Sequence, residues 1–308
     1  MVIDATAVLG LGSSISPGED AVGSEPIYPV LETSVFSSGR SRMLAPLLRW
    51  AGSKRKLVPL LLANCPARFN RYVEPFAGSA CLFFALGPSN AILGDFNAQL
   101  MDFYRFVAKS PDRLAQELAT YPLSEDFYYV LRSQSAEGMS QLEVAARFLY
   151  LNRFCFNGVY RTNRKGQFNV PYGSKTGQLP SKERLHAAST KLRKTKLISG
   201  DFESTLSTVQ RGDFVYLDPP YSASRNRGEY GYGAFAAEDV KRISEAAERM
   251  DRAGATFLIS YKSEPEVSKY FANWHQRRVR VTRHVSGFAG SRGEVEELLI
   301  SNQKFNEG

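Results

Sequence analysis

Two rhythms of apolar positions run along this chain. From Leu44 onward, short apolar runs end on Gly, Pro, Asp or Asn, and segments of helical period follow them. RYVEPFAGSACLFFAL predicts a strand, a tight turn and a helix, and AILGDFNAQLMDFYRFV repeats that order. Helical spacing then holds over Pro111 to Thr120, Glu125 to Gln134 and Gln141 to Leu151. NGVYRTNRKGQFNVPYG breaks the rhythm with Gly and Asn between alternating aromatics, which predicts a basic loop bearing a hairpin. Strand character returns at KLISGDF, DFVYLDPPY, TFLISYK and VEELLISN, with a helix near Glu238 to Ala253. Strands alternating with helices predict an α/β domain with a mostly parallel sheet. The helical and basic stretch interrupts the series and is expected to form an inserted domain. The predicted division is a Gly-, Ser- and Pro-rich flexible tail at 1–42, a core domain at 43–100 and 197–308, and an insert at 101–196. Met43, just before the first strong motif, is a candidate natural start.

Composition supports a globular protein. The chain has 308 residues, 43% of them hydrophobic, enough for one large domain or a core domain with a smaller companion. Its net charge of +8 is unevenly spread: between Arg153 and Lys196 eleven Lys or Arg stand against one acid, Glu183. Such a stretch is either a surface for phosphates or a plain solvated loop region. Cys65, Cys81 and Cys155 show neither CxxC pairing nor metal-ligand spacing, so no metal is expected and a reducing cytoplasm fits. No apolar run approaches the ~20 residues that span a bilayer, and the N-terminus lacks a secretory pattern.

Five short motifs carry candidate chemistry. Asp218-Pro219-Pro220-Tyr221 follows the apolar run FVYL, so it belongs at a strand's carboxyl end, where open α/β sheets bind ligands. The prolines fix the backbone and remove two N–H donors. A carboxylate, a rigid carbonyl and an aromatic ring together suit a planar heterocycle bearing an amino group. Asp218 and the Pro219 carbonyl can each accept one amino hydrogen, and Tyr221 can stack on the ring. The plain alternative is a surface loop with a helix-capping Asp. Glu74-Pro75-Phe76-Ala77-Gly78-Ser79-Ala80 is a small-residue turn that either admits a ligand to the backbone or simply turns the chain. Asp95 in GDFN suits a ribose or a helix cap, and Asp201-Phe202 suits an adenine or a strand-end cap. In RWAGSK, Trp50 could pack on a cofactor or in the core, Lys54 could meet a carboxylate, and Arg49 could contact DNA.

In this order, these motifs resemble the Dam-type (D12 class) family of site-specific DNA adenine N6-methyltransferases. RWAGSK is similar to the family's N-terminal cofactor motif, EPFAGSA to its FxGxG loop, GDFN to its ribose site and GDF to its adenine contact. DPPY is similar to its catalytic motif, and LNRFCFNGVYRTNRKGQFNVPYG to its recognition hairpin. The resemblance covers nearly all of Leu44 to Asn302. It implies a Rossmann-like methyltransferase fold with an inserted, mainly helical target-recognition domain, S-adenosylmethionine as methyl donor, and duplex DNA as partner. Trp50, Lys54, Phe76, Gly78, Asp95, Asp201, Phe202 and Asp218 would border the cofactor. Asp218, Pro219, Pro220 and Tyr221 would be catalytic, acting on an adenine flipped from the helix. Arg49, Arg161, Asn163, Arg164 and Lys165 would meet DNA. The resemblance also implies a bacterial or phage protein of the cytoplasm, a monomer or weak dimer, with a cognate restriction endonuclease as a candidate companion. Three positions depart from the pattern. Ala80 replaces the second glycine of FxGxG, Ser53 stands where Gly is common, and Thr162 stands where the best-known members carry a Tyr. The last leaves the recognition sequence open. Competing expectations are an RNA adenine methyltransferase and a catalytically silent DNA-binding regulator of the same fold. Ser222 to Phe235, rich in Gly and Tyr, is a candidate lid over the pocket, or a plain surface loop.

Overall fold

The computed structural model describes residues 28–29, 43–163, 165–173, 177–220, 238–284 and 292–306. In chain order its elements begin with β1 (Tyr28–Pro29), α1 (Val58–Ala63), β2 (Tyr72–Glu74), α2 (Cys81–Leu86), β3 (Ala91–Asp95) and α3 (Ala98–Lys109). Four helices follow: α4 (Pro111–Ala119), α5 (Glu125–Ser133), α6 (Gln141–Phe154) and α7 (Lys182–Leu192). The chain then alternates again through β4 (Thr195–Ser199), α8 (Phe202–Leu206), β5 (Phe214–Leu217), α9 (Glu238–Arg252), β6 (Thr256–Lys262) and α10 (Pro265–Tyr270). It closes with β7 (His275–His284) and β8 (Arg292–Ser301).

The strands form one sheet in the order β1-β7-β8-β6-β5-β2-β3-β4. All described pairings are parallel except those of β8, which runs antiparallel between β6 and β7. From β2 the chain steps outward through β3 to β4, then returns to lay β5 on the other side of β2. That reversal opens a crevice beyond the carboxyl ends of β2 and β5, the place where doubly wound sheets hold ligands. Glu74 and Asp218 stand at its two lips.

Strand alternation sorts the core. Tyr72, Phe214, Tyr216, Leu258 and Leu299 face one layer, while Val73, Val215, Leu217, Phe257 and Ile259 face the other with α9 and α10. Glu74, Asp218, Ser260 and Glu297 continue the first set by twos, so four polar side chains share that face where it meets the crevice. The same layer extends without a break into the helices, taking in Phe103, Leu114, Tyr128, Phe148 and Leu149. The expected boundary between residues 100 and 101 therefore falls inside α3, and the helical segment packs as a continuation of the sheet's own core. Asn97 caps α3 by accepting the Leu100 N–H at 3.0 Å, and a Ser140–Glu143 capping box starts α6.

Helix α7 and strand β7 were not among the predicted elements. In α7, Leu185, Ala188, Ser189 and Leu192 form a buried stripe at helical spacing, diluted by six charged or polar neighbours. In β7 the apolar positions Val279 and Val281 alternate with arginines, so charge hides a period of two. Of the expected tail, only Tyr28–Pro29 lie within the described residues, paired with Val279–Arg280. The candidate lid, Ser222 to Phe235, lies outside them.

Candidate active site

The loop after β2 is built by close approach. Gly78 adopts φ +46°, and a Cβ there would stand 2.9 Å from Trp50 Cδ1, so both backbone and space call for glycine. Two positions on, Ala80 also takes a left-handed conformation (φ 51°, ψ 43°) at the start of α2. An alanine there costs about 1 kcal/mol against glycine, and this is the position that departs from FxGxG. Asp95, at the end of β3, ties this loop down: its Oδ2 accepts the Gly78 N–H and its Oδ1 the Asn97 N–H, each at 2.9 Å. Burial pushes the Asp95 carboxyl up to about 6, against the pull of those two N–H groups. The cap of α3 that Asp95 was expected to share belongs to Asn97.

Across the crevice, Asp218 is held by one oxygen. Lys54 Nζ lies 2.5 Å from Oδ1, and Ser260 Oγ donates to the same oxygen at 3.2 Å. Because Ser260 gives its proton to Asp218, the Tyr216 hydroxyl at 2.9 Å must donate to Ser260. Among the described residues, nothing donates to Oδ2. Lys54 is 5% exposed, and a second carboxylate, Glu297 on β8, lies 3.9 Å from its ammonium. Glu74, buried at the end of β2, takes a hydrogen bond from Tyr72 at 3.0 Å. Burial pushes the Glu74 carboxyl well above the usual range, and the nearby Asp218 and Asp95 add to the rise. Pro219 is buried and Pro220 half-buried behind Asp218, while Tyr221 lies outside the described residues.

At the end of β4, Asp201 caps α8 through the Glu203 N–H at 3.0 Å and also pairs with Arg242 of α9. Burial raises the Asp201 carboxyl, but Arg242 and the Glu203 N–H outweigh it and hold the group below its usual value. Phe202 is buried, with the Phe76 ring 5.3 Å away, so these two expected cofactor neighbours do meet. Trp50 is half-buried and stacks on Tyr160 at 5.4 Å and 18°.

The expected DNA-facing residues divide by what they hold. Thr162–Phe168 and Cys155–Tyr172 bridges define a hairpin-like loop. Asn163 Oδ1 accepts the N–H groups of Lys165 and Gln167, so its side chain builds the turn. Arg161 is braced on Asn169 Oδ1 at 2.9 Å. Lys165 is exposed at the tip, and Arg164 lies outside the described residues. Arg49 donates to the Arg153 and Cys155 carbonyls at 3.4 and 3.5 Å, at the root of the loop. The basic residues of this stretch that are described do not form one face. Arg153 is buried and donates to the Gln178 carbonyl, Arg184 donates to Pro46, Arg193 to Ala108, and Lys182 pairs with Asp112.

Ser260, Glu297 and Arg242 escaped the sequence reading, while Glu74 and Tyr160 fell inside its motifs without a role of their own. Ser260 and Glu297 left a trace, as polar residues inside the apolar strands TFLISYK and VEELLISN; Arg242 left none.

Comparisons with known proteins show the family. The family model described as D12 class N6 adenine-specific DNA methyltransferase matches residues 50–286. Type II methyltransferase M1.LlaDCHI of Lactococcus lactis subsp. cremoris is 35% identical over 271 residues, covering 84% of this chain and 95% of the relative. The DNA adenine methylases of Vibrio cholerae O395 and Escherichia coli K12 are each 30% identical, each covering 82% of this chain and 94% and 93% of their own lengths. The match takes in every motif from Trp50 through the crevice to the far side of the sheet, and this chain belongs to the D12 class of N6 adenine-specific DNA methyltransferases.

Proposed function

We propose that this enzyme transfers the methyl group of S-adenosylmethionine to N6 of adenine at a specific sequence in duplex DNA, and that the crevice between β2 and β5 is its active site. The observation that carries the reading is Asp218: one oxygen is fixed by Lys54 and Ser260, and among the described residues nothing donates to the other. An open carboxylate oxygen accepts one amino hydrogen, and the Pro219 carbonyl is placed in sequence to accept the second. Two such bonds orient the nitrogen lone pair and stabilise charge developing on the amino group. Tyr221 would cover the ring.

The residues present fit the methyl donor. Asp95, with its carboxylate at the end of β3 beside the Gly78 loop, suits two ribose hydroxyls. Phe76, Phe202 and Asp201 suit a purine, and Trp50 and Lys54 border the remaining wall. When bound, S-adenosylmethionine supplies an electrophilic methyl group on sulfur. The protein's part is positioning, which can supply ~7–11 kcal/mol of barrier lowering in favourable cases. N6 is buried in base pairing within a duplex, so the adenine has to leave the stack at a cost of a few kcal/mol. Lys165, Arg164, Arg161 and Arg49 would offset that cost through phosphate and base contacts, within a recognition segment from about 101 to 196.

Tritium transfer from labelled cofactor tests the reading, with duplex DNA and structured RNA in competition. Label in N6-methyladenine of the duplex is expected, and Asp218→Ala should lose transfer while melting as a folded protein. Label in RNA, or near-normal turnover by Asp218→Ala, would overturn it.

A further inference from the structure

Asp201 is held more firmly than a helix cap requires. The Glu203 N–H on Oδ1 is sufficient to start α8. Arg242, in the first turns of α9, adds a two-pronged contact: Nη2 donates to Oδ1 at 2.6 Å and Nη1 to Oδ2 at 3.2 Å. The same guanidinium lies 4.3 Å over the Phe202 ring, and Nη1 also donates to Asp239 at 2.6 Å. Docking α9 on α8 does not need this pair, because Arg249 already joins the same two helices through both oxygens of Glu203 at 2.6 and 2.7 Å. Asp201 nonetheless keeps 43% side-chain exposure, and among the described residues Oδ2 carries only the longer contact, which leaves it a lone pair to accept with.

We propose that Arg242 is a positioning residue that makes this corner selective for a 6-aminopurine, fixing Asp201 so that the remaining lone pair of Oδ2 accepts the amino hydrogen of the cofactor's adenine. The inference rests on the reading that places the cofactor's adenine at Asp201 and Phe202. A carboxylate held ionised can only accept. Against a 6-oxo group it would set acceptor against acceptor and leave a desolvated oxygen unpaired. The planar fork of Arg242 fixes the carboxylate's rotation, which a single cap bond leaves free. Without the fork, Asp201 still caps α8 but can turn and take up water, and the distinction between amino and oxo groups fades.

The test compares Arg242→Gln, Arg242→Lys, Arg249→Gln and Asp201→Asn. Its readouts are the KM for S-adenosylmethionine, kcat, thermal melting, and inhibition by S-adenosylhomocysteine against its hypoxanthine analogue. The unaltered enzyme should prefer the adenine inhibitor by about 30-fold, the scale of one hydrogen bond to a charged group. Arg242→Gln should raise KM roughly tenfold, change kcat little and cut the preference to about fivefold or less. Arg242→Lys should fall between, since it restores charge without the fork. Arg249→Gln should lower the melting temperature about as much as Arg242→Gln and leave KM and preference unchanged. If Arg242→Gln behaves like Arg249→Gln, the inference is overturned. Asp201→Asn turns the open oxygen into a donor and should abolish the preference. Full preference in that variant would instead show that the adenine site lies elsewhere, overturning the placement on which the inference rests.

Discussion

Ser260 separates stability from chemistry in this site. It is fully buried and sits between two groups, taking the Tyr216 hydroxyl proton and giving its own to Asp218. Ser260→Ala removes both bonds. The hydroxyl of Tyr216, a residue 2% exposed, is then a buried donor without an acceptor, a loss of about 1–3 kcal/mol. At about 2–4 °C per kcal/mol the melting temperature should fall by several degrees. Tyr216→Phe alone leaves the bond to Asp218 intact and should cost about 1 kcal/mol or less. The double variant deletes both partners, so most of the stability should return. Activity follows a different rule. In both variants lacking Ser260, Asp218 is held by Lys54 alone, and a misplacement of under an ångström should lower single-turnover transfer by about 10- to 100-fold. Rapid-quench transfer at saturating cofactor and DNA, with melting curves on the same samples, reads both quantities. Tyr216→Phe should transfer within about threefold of the unaltered enzyme. The double variant should melt like it and transfer as poorly as Ser260→Ala. Recovery of transfer along with stability would refute the argument that Ser260 acts through Asp218.

Three further outcomes are expected. The Asp95 carboxyl, pushed up to about 6, is ionised above that pH and neutral below it, so cofactor affinity should be flat above pH 7 and weaken about tenfold per unit below 6. Calorimetric titration from pH 5 to 8 checks this, and affinity unchanged to pH 5 would remove Asp95 from the ribose site. Lys165→Ala should weaken DNA binding at every sequence and lower the slope of log K against log salt by about one, measured by anisotropy; an unchanged slope takes Lys165 off the phosphates. Gly94→Ala would set a Cβ 2.0 Å from Thr205 Oγ1 and should cost about 1–3 kcal/mol in urea unfolding, partly recovered in combination with Thr205→Ala. An equally stable Gly94→Ala would show that α8 moves freely on β3.

Much of the sheet was legible because its strands are short apolar runs stopped by Gly, Asp or Pro. Asp95, Asp201 and Asp218 all come to carboxyl ends of parallel strands, as their place after apolar runs implied. What local pattern could not supply was pairing across distance. Lys54 meets Asp218 over 164 residues, and Arg242 meets Asp201 over 41, the latter from the polar side of an ordinary amphipathic helix. Charge density misled in one respect. Arg153, Arg184 and Arg193 read as part of a phosphate surface, yet they donate to backbone carbonyls, because a guanidinium can satisfy several buried acceptors at once. The continuity of the helical segment's core with that of the sheet was hidden for a related reason. Hydrophobic period marks helices, but it does not say whether they share a core with the sheet.

The loop bearing Lys165 is packed against aromatic rings at its root and exposed at its tip. Tyr160 is clamped between Trp50 and Gln99, Phe168 leans on Tyr160, and Arg161 is braced by Asn169. At Gly166, by contrast, an added methyl would meet nothing within 4 Å. The two ends are therefore free to change at different rates. If this loop reads the target, a lineage acquiring a new sequence can replace an exposed tip residue such as Lys165 without disturbing the wall proposed to border the methyl donor. A replacement at Tyr160 would be felt first by Trp50, and on the proposed reading by turnover on every sequence alike.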